Sequence, residues 1–188
     1  MTGTSSVIAG LAAAGLLLAG WQVSRGDDDW GGELAERWGS GSRVAAADNP
    51  VYREECGSCH MAYPPGLLPA RSWERIMDGL ANHFGDNAEL DAATKTEITR
   101  YLTARSADGS EYRHSRRLLR TLSPDSTSLR ITETPYIRHE HSELPAQAVA
   151  GNPAVRSLSN CNACHAQAEQ GSFSESGVRI PGYANRDD

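Results

Sequence analysis

Large apolar side chains are scarce in this chain. Two phenylalanines and three methionines occur among 188 residues, and aromatic residues make up only 6%. With hydrophobic residues at 39%, such a sequence is short of material for a large core, and a bound apolar group is expected to supply the missing surface. Positive charge is short as well. Eighteen Lys and Arg against 24 Asp and Glu leave a formal charge of −6, which argues against nucleic acid as a partner, since phosphate binding needs a basic surface. No Lys or Arg precedes the one long apolar run, Val7 to Trp21, so the basic leading region of an ordinary signal peptide is missing. No internal repeat is visible beyond two short motifs, and no βαβ pattern surrounds them. The length fits one domain or two small ones.

Nor is there a cysteine to spare. All four lie in Cys56-Gly-Ser-Cys59-His60 and Cys161-Asn-Ala-Cys164-His165. Each pentapeptide is the attachment signature of a c-type haem. Two thiols add across the vinyl groups of one porphyrin, and the histidine that follows is held beneath the ring as an iron ligand. The i, i+3, i+4 spacing fits one helical turn, so both sulfurs and the imidazole can face one flat macrocycle. A four-sulfur zinc site does not ask for a histidine after each pair. A thioredoxin-like pair expects a βαβ unit. Two disulfides between near neighbours would close tiny loops and stabilise little. The motifs therefore predict two covalently bound haem c groups, on Cys56, Cys59, Cys161 and Cys164, with His60 and His165 as proximal iron ligands.

Organisation follows from composition. With its flanks the apolar run reaches from Ser5 to Ser24, about the length that spans a bilayer, so residues 1–24 read as a signal or membrane anchor. Ala45-Ala46-Ala47 looks like a cleavage site but lies far downstream. Residues 25–49 read as a flexible tether, with Asp27-Asp28-Asp29, Gly31-Gly32 and the Gly-Ser stretch from Gly39 to Ser42, interrupted by Trp30 and Trp38. A first haem c domain is expected over 50–107 and a second over 108–188. Either fate of the export segment puts them outside the cytoplasmic membrane, in the periplasm, as a soluble protein or one held by its N-terminus.

A mostly α fold is expected. In the first haem segment, Pro64-Pro65-Gly66 ends the motif helix. Ser72 is a plausible N-cap for a helix running to about Phe84, with Trp73, Ile76, Met77, Leu80 and Phe84 on one apolar face. His83 shares that face, and Gly85 suits the stop. A closing helix is expected from about Asp91 to Ala104, with Ile98, Tyr101 and Leu102 inward. This order resembles the small class I cytochrome c plan. The second segment is irregular and only partly helical. Tyr112 to Leu122 reads as a helix with Leu118, Leu119 and Leu122 inward and Arg113, Arg116, Arg117 and Arg120 opposite. That basic face reads as solvated rather than as a docking site for an acidic partner. Pro124 to Pro145 carries turn and extended signals. Asn152-Pro153 reads as the start of a helix bearing the second motif, with Gly171 after its end. The Ile180-Pro181-Gly182 tail has no assigned place.

The sixth coordination position decides the chemistry. Four histidines remain: His83, His114, His139 and His141. Of the methionines, Met1 is the initiator, Met61 is adjacent to His60 and cannot reach the opposite haem face, and Met77 on an apolar stripe reads as core. His83 is the better candidate for the first haem. His139 and His141 fall on one side of the chain if that stretch is extended, and spacing leaves them equivalent. His114, within the arginine face, is expected to be solvent-exposed.

The run Cys56 to His60 followed by Met61-Ala62-Tyr63-Pro64-Pro65-Gly66-Leu67-Leu68-Pro69 resembles the bacterial diheme cytochrome c (DHC) family. Ser72-Trp73, His83-Phe84-Gly85, Arg130-Ile131-Thr132, Thr134-Pro135-Tyr136, Cys161 to His165 and Gly171-Ser172-Phe173 continue the likeness, which spans about Val51 to Gly182. The resemblance implies a class I-like first domain, an atypical second one, and two bis-histidine, low-spin irons. It supports His83 and favours His141, which precedes Ser142-Glu143-Leu144-Pro145. His139, the second choice, falls where the family has a basic residue. The resemblance also implies a membrane cytochrome b as electron donor and a small oxygen-binding c-type haem protein as acceptor.

Two histidines on each iron leave no position open for substrate, and histidine in place of methionine lowers the reduction potential. The expected function is single-electron transfer between redox partners by two low-potential haems, not enzymatic catalysis. The competing readings are an electron-entry subunit of a larger reductase and a small diheme peroxidase. A peroxidase needs a haem that opens and an acid–base group beside it, and no such constellation is visible.

Overall fold

Asn49 accepts a hydrogen bond from the Tyr52 amide at 2.7 Å, and Pro50 occupies the first turn, so helix α1 (Pro50–Gly57) begins at this pair. The computed structural model describes residues 43–183. The expected export segment, residues 1–24, lies outside them, as does the tether as far as residue 42 with Trp30 and Trp38. Among the described residues the backbone is mostly helical. It holds α1, α2 (Ala70–Asp78), α3 (Ala92–Ala104), α4 (Arg113–Thr121) and α5 (Pro135–Glu140), joined by 3₁₀ turns. No strand forms there, only isolated bridges. No described helix is long and apolar enough to cross a membrane.

The first three helices enclose one apolar cluster: Ala47, Tyr52, Leu68, Trp73, Met77, Leu80, Ile98 and Leu102. Trp73 satisfies its indole by donating to the Pro65 carbonyl at 2.8 Å, which allows so large a side chain to be buried. Asp91 caps α3, accepting from the amides of Ala93 and Thr94 at 2.9 and 3.1 Å. Helix α2 differs from expectation. It starts at Ala70 behind Pro69 and stops at Asp78, so Ser72 is a buried interior residue and not its cap. Gly79 ends the helix early, and the 3₁₀ turn Leu80–Asn82 follows. Phe84 and Gly85 then take positive φ of 57° and 112°, and His83 and Asp86 exchange backbone hydrogen bonds of 2.7 and 3.3 Å. His83 thus sits at the base of a tight turn rather than on a helix face.

The second segment has little core of its own. Leu118, Tyr136 and Ile137 are buried, with Leu122 and Ile131 packed beside them. Ile131 also touches the first cluster, so the two clusters share a seam. Leu119 and Leu122 are half-buried. The stretch around His139 is helix α5, not extended chain. No α-helix carries the second motif: Cys161–Ala163 is a 3₁₀ turn. The preceding stretch is rich in Gly, Asn and Ser and lacks an apolar stripe, and Arg156 at φ 67° breaks any regular run. Asn152 does accept from the Ala154 amide at 3.0 Å, but it also donates to the Pro181 carbonyl at 2.7 Å. It closes a loop instead of opening a helix.

The last part of the expected tether is not loose. Val44 and Ala47 are buried. The Val44 amide donates to the Gly171 carbonyl at 2.9 Å, Arg43 bridges antiparallel to Ser172, and Ala47 enters the first cluster. Gly171 has φ 75°, and a Cβ there would run into the Val44 carbonyl oxygen, so glycine is required at this crossing.

Two substitutions test this account in the holoprotein. Ile98→Ala, at a fully buried site, is expected to lower unfolding free energy by about 2–5 kcal/mol. Asp91→Ala, which removes only a cap, is expected to cost about 1 kcal/mol. Chemical denaturation followed by circular dichroism measures both, and an equal cost for the two would contradict the packing described.

Candidate functional site

The first pentapeptide straddles a helix end. Cys56 lies in the last turn of α1 and is half-buried, whereas Cys59 and His60 lie in the turn beyond and are exposed. One continuous helical turn across the motif, expected from spacing, is therefore only half present. The His60 Nδ1 lies 2.8 Å from the Met61 carbonyl oxygen. A carbonyl can only accept, so Nδ1 carries the proton and Nε2 keeps its lone pair.

The structure brings His83 opposite His60. The ring centroids are 6.2 Å apart, with planes 26° from parallel. Two metal–nitrogen bonds of about 2 Å, each continued by the ~1.1 Å from ring nitrogen to ring centre, separate two axial imidazoles by about 6 Å. Met77, by contrast, is packed in the apolar cluster. Phe84 meets the His83 ring edge-on at 4.8 Å, and the Arg130 guanidinium from the second segment covers Phe84 at 4.0 Å. Burial, then His60 and Arg130, hold the His83 imidazole below its ordinary range, against a smaller opposing pull from Asp86.

The second pentapeptide shows the same pairing on different scaffolding. His141 follows the end of α5, and its Nδ1 lies 2.8 Å from the Ile137 carbonyl oxygen. Its ring lies opposite that of His165 in an edge-on arrangement, with centroids 6.1 Å and planes 74° apart. His139, in the same short helix, is exposed. Helical geometry, in place of the extended backbone that would put both on one side, separates the two neighbours and turns His141 alone toward His165. The unassigned tail also finds its place: Asn152 holds the Pro181 carbonyl, and just before it the Arg179 amide donates to the Cys164 carbonyl at 2.9 Å and Val178 bridges to His165.

His114 is buried, where exposure was expected. It meets Tyr136 edge-on at 4.9 Å and stacks near Phe173 at 5.8 Å, and Phe173 in turn packs on His165 at 5.5 Å. Its arginine neighbours disguised it, but a signal existed, since His114 precedes the buried Leu118 by one helical turn. Both of its ring nitrogens and the His165 Nδ1 are buried without hydrogen-bond partners. Burial, then Arg117, His165 and His141, push His114 down to about 4.

The donor set fits haem c. Each site offers two free thiols and a facing pair of imidazoles. Burial pushes the Cys56 and Cys161 thiols up to about 11, a poor setting for thiolate ligation. No group of three or more Cys, His, Asp or Glu among the described residues is arranged around a common metal position, so the four-sulfur alternative has no geometry to support it. The unpartnered nitrogens around the second pentapeptide suit a site that receives a group bearing hydrogen-bond acceptors, as haem carboxylates are.

Comparison with known proteins agrees. A family model described as dihaem cytochrome c matches residues 52–173. Among solved structures the chain is similar to a diheme cytochrome c from Rhodobacter sphaeroides. The identity is 43% and the TM-score 0.62, over 69% of this chain and 100% of that one. A diheme cytochrome type c from Shewanella baltica OS155 matches at 42% identity and a TM-score of 0.60, over 72% and 95% of the two chains. Comparison with curated proteins returned no match.

A pH dependence follows from His114. Its ordinary value is 6.5 and its folded value about 4, so the unfolded chain binds the proton more readily. This contribution to stability is full above about 6.5 and is lost as pH falls toward 4. The groups facing it are Arg117, Tyr136, His141 and His165. Thermal or chemical unfolding at about pH 7.5 and about pH 5 is expected to differ by about 2 kcal/mol from this residue. His114→Phe should remove that part of the difference, and an unchanged pH profile in the variant would contradict the assignment.

Proposed function

The chain belongs to the dihaem cytochrome c family, and from that premise we propose that it carries single electrons between redox proteins by means of two low-potential, bis-histidine haems. Membership establishes the coarser part: the chain is an electron-transfer haem protein with two covalently bound haem c groups. The observation that carries the finer reading is the pair of facing imidazole couples at 6.2 and 6.1 Å.

In this reading Cys56 and Cys59 hold one haem and Cys161 and Cys164 the other. His60 and His83 are the axial residues of the first site, and His165 and His141 those of the second. Each iron supplies one-electron redox chemistry. The residues do the rest. With haem bound, His60 and His83 at one site and His165 and His141 at the other would hold the iron, leaving oxygen, peroxide or other substrate no entry without displacing a histidine. The carbonyls of Met61 and Ile137 hold the Nδ1 protons of His60 and His141, which fixes the rings and raises their basicity toward a metal. Nitrogen donors of this kind favour the ferric state relative to a thioether, hence the low potentials proposed. A closed site of this type suits a carrier and not a peroxidase.

The two-domain division is proposed on the two apolar clusters, one per haem segment. Residues 1–24 are proposed as the export segment, a signal or membrane anchor that puts the protein on the periplasmic side, free or held at the membrane. The donor and acceptor, a membrane cytochrome b and a small oxygen-binding c-type haem protein, are proposed on the family likeness alone.

Low-temperature EPR of the oxidised protein is expected to show low-spin signals only, and the reduced protein should not bind carbon monoxide on rapid mixing. His83→Met and His141→Met are each expected to alter one signal and to raise one potential by on the order of 100 mV, within the span of about 0.8 V that axial ligands govern. Prompt stoichiometric carbon monoxide binding by the wild type, or indifference of both signals to both variants, would sink the bis-histidine carrier.

A further inference from the structure

Tyr63 touches both haem sites. Its ring stacks on His60, with centroids 4.9 Å apart and planes 28° from parallel. Its hydroxyl donates to the Ser159 carbonyl at 2.5 Å, 96 residues away in sequence. Ser159 lies two residues before Cys161, the first attachment cysteine of the second site. The side chain therefore runs from a ligand ring of one site to the backbone that carries the other.

Its placement is fixed from behind. The buried Tyr52 donates its hydroxyl to the Tyr63 carbonyl at 2.9 Å. Pro64 follows directly, which restricts the Tyr63 backbone to extended conformations. Burial, with Cys161 as the next cause, pushes the phenol up to about 12, so it remains a protonated donor throughout the physiological range. An aromatic ring packed beside a histidine is ordinary, and phenylalanine would serve for packing. The hydroxyl is the part that packing does not need.

We propose that Tyr63 couples the two haem sites. Its ring against the first site and its hydrogen bond to the loop of the second set their separation and orientation, and they supply a route of one ring stack and one hydrogen bond between them. The electron that one haem would give up the other would take, so the exchange balances with no further oxidant or reductant. The phenol keeps its proton throughout. Tyr63 acts through His60 and through the Ser159–Cys161 loop, so it is a positioning residue. The inference rests on the reading of His60 as an axial residue and Cys161 as a haem attachment.

The test compares wild-type holoprotein with Tyr63→Phe and Tyr63→Leu. Haem content, low-spin EPR and the rate of intramolecular electron exchange after flash photoreduction are measured on each. Tyr63→Phe keeps the ring and is expected to mature with two haems and unchanged low-spin signals. It is nevertheless expected to exchange electrons severalfold more slowly, and Tyr63→Leu more slowly again. Wild-type exchange in Tyr63→Phe overturns the coupling role and leaves the carrier reading standing. Loss of one low-spin signal in Tyr63→Phe also overturns it, because Tyr63 would then be only a prop for His60. A high-spin signal in the wild type would instead remove the histidine-pair premise itself.

Discussion

Two imidazole rings standing about 6 Å apart, with room between them for a metal and its bonds on either side, constrain much of what surrounds them here. Each pair needs two backbone segments brought to the same place from far apart in sequence. His60 comes from the end of α1 and His83 from a turn after α2. His141 comes from the end of α5 and His165 from the chain just after a 3₁₀ turn, where it bridges to Val178. In both pairs one ring is tied through Nδ1 to a carbonyl close by in sequence. The other is set by aromatic packing, Phe84 on His83 and Phe173 on His165. One member is thus fixed by a directional bond and the other by shape.

The shortage of apolar side chains falls unevenly. The first segment has an apolar cluster that includes Trp73, Ile98 and Leu102, whereas the second has Leu118, Tyr136 and Ile137 with two half-buried neighbours. Burial of a large side chain contributes roughly 1.5–3 kcal/mol, so the second cluster alone is a weak basis for order. The shared seam at Ile131 supplies part of what that segment lacks, and a bound haem would supply the rest. This also explains the irregular backbone there. Turns closed by Asn152 and by the Arg179 amide order this stretch, where a helix would need an apolar stripe the sequence does not have.

Much of the site was legible because covalent chemistry demands fixed residue types at fixed spacing. Cysteine pairs followed by histidine announce themselves whatever the backbone does. Helix α3 was legible too, since Asp91 is a strong cap and Ile98 and Leu102 keep helical spacing. The misreadings have local causes. The apolar period of helix α2 continues through Leu80 and Phe84, but Gly79 ends the helix and the positive φ at Phe84 keeps it from resuming. His139 and His141 looked equivalent only on the assumption of an extended strand. His114 looked exposed because sequence proximity to four arginines outweighed its one-turn spacing from Leu118. The irregular stretch before Cys161 carries no periodic signal, so its fold depends on contacts distant in sequence.

The short run from Arg43 to Ala47 has a mechanical meaning. It is bonded to Gly171 and Ser172 on one side and buried in the first cluster on the other. Whatever residues 1–42 are attached to, force or torque arriving through them enters where both haem segments meet. A molecule gripped at one extremity would let its far lobe swing. One gripped near its seam takes that load on both segments at once, as a balance arm is steadied at its pivot.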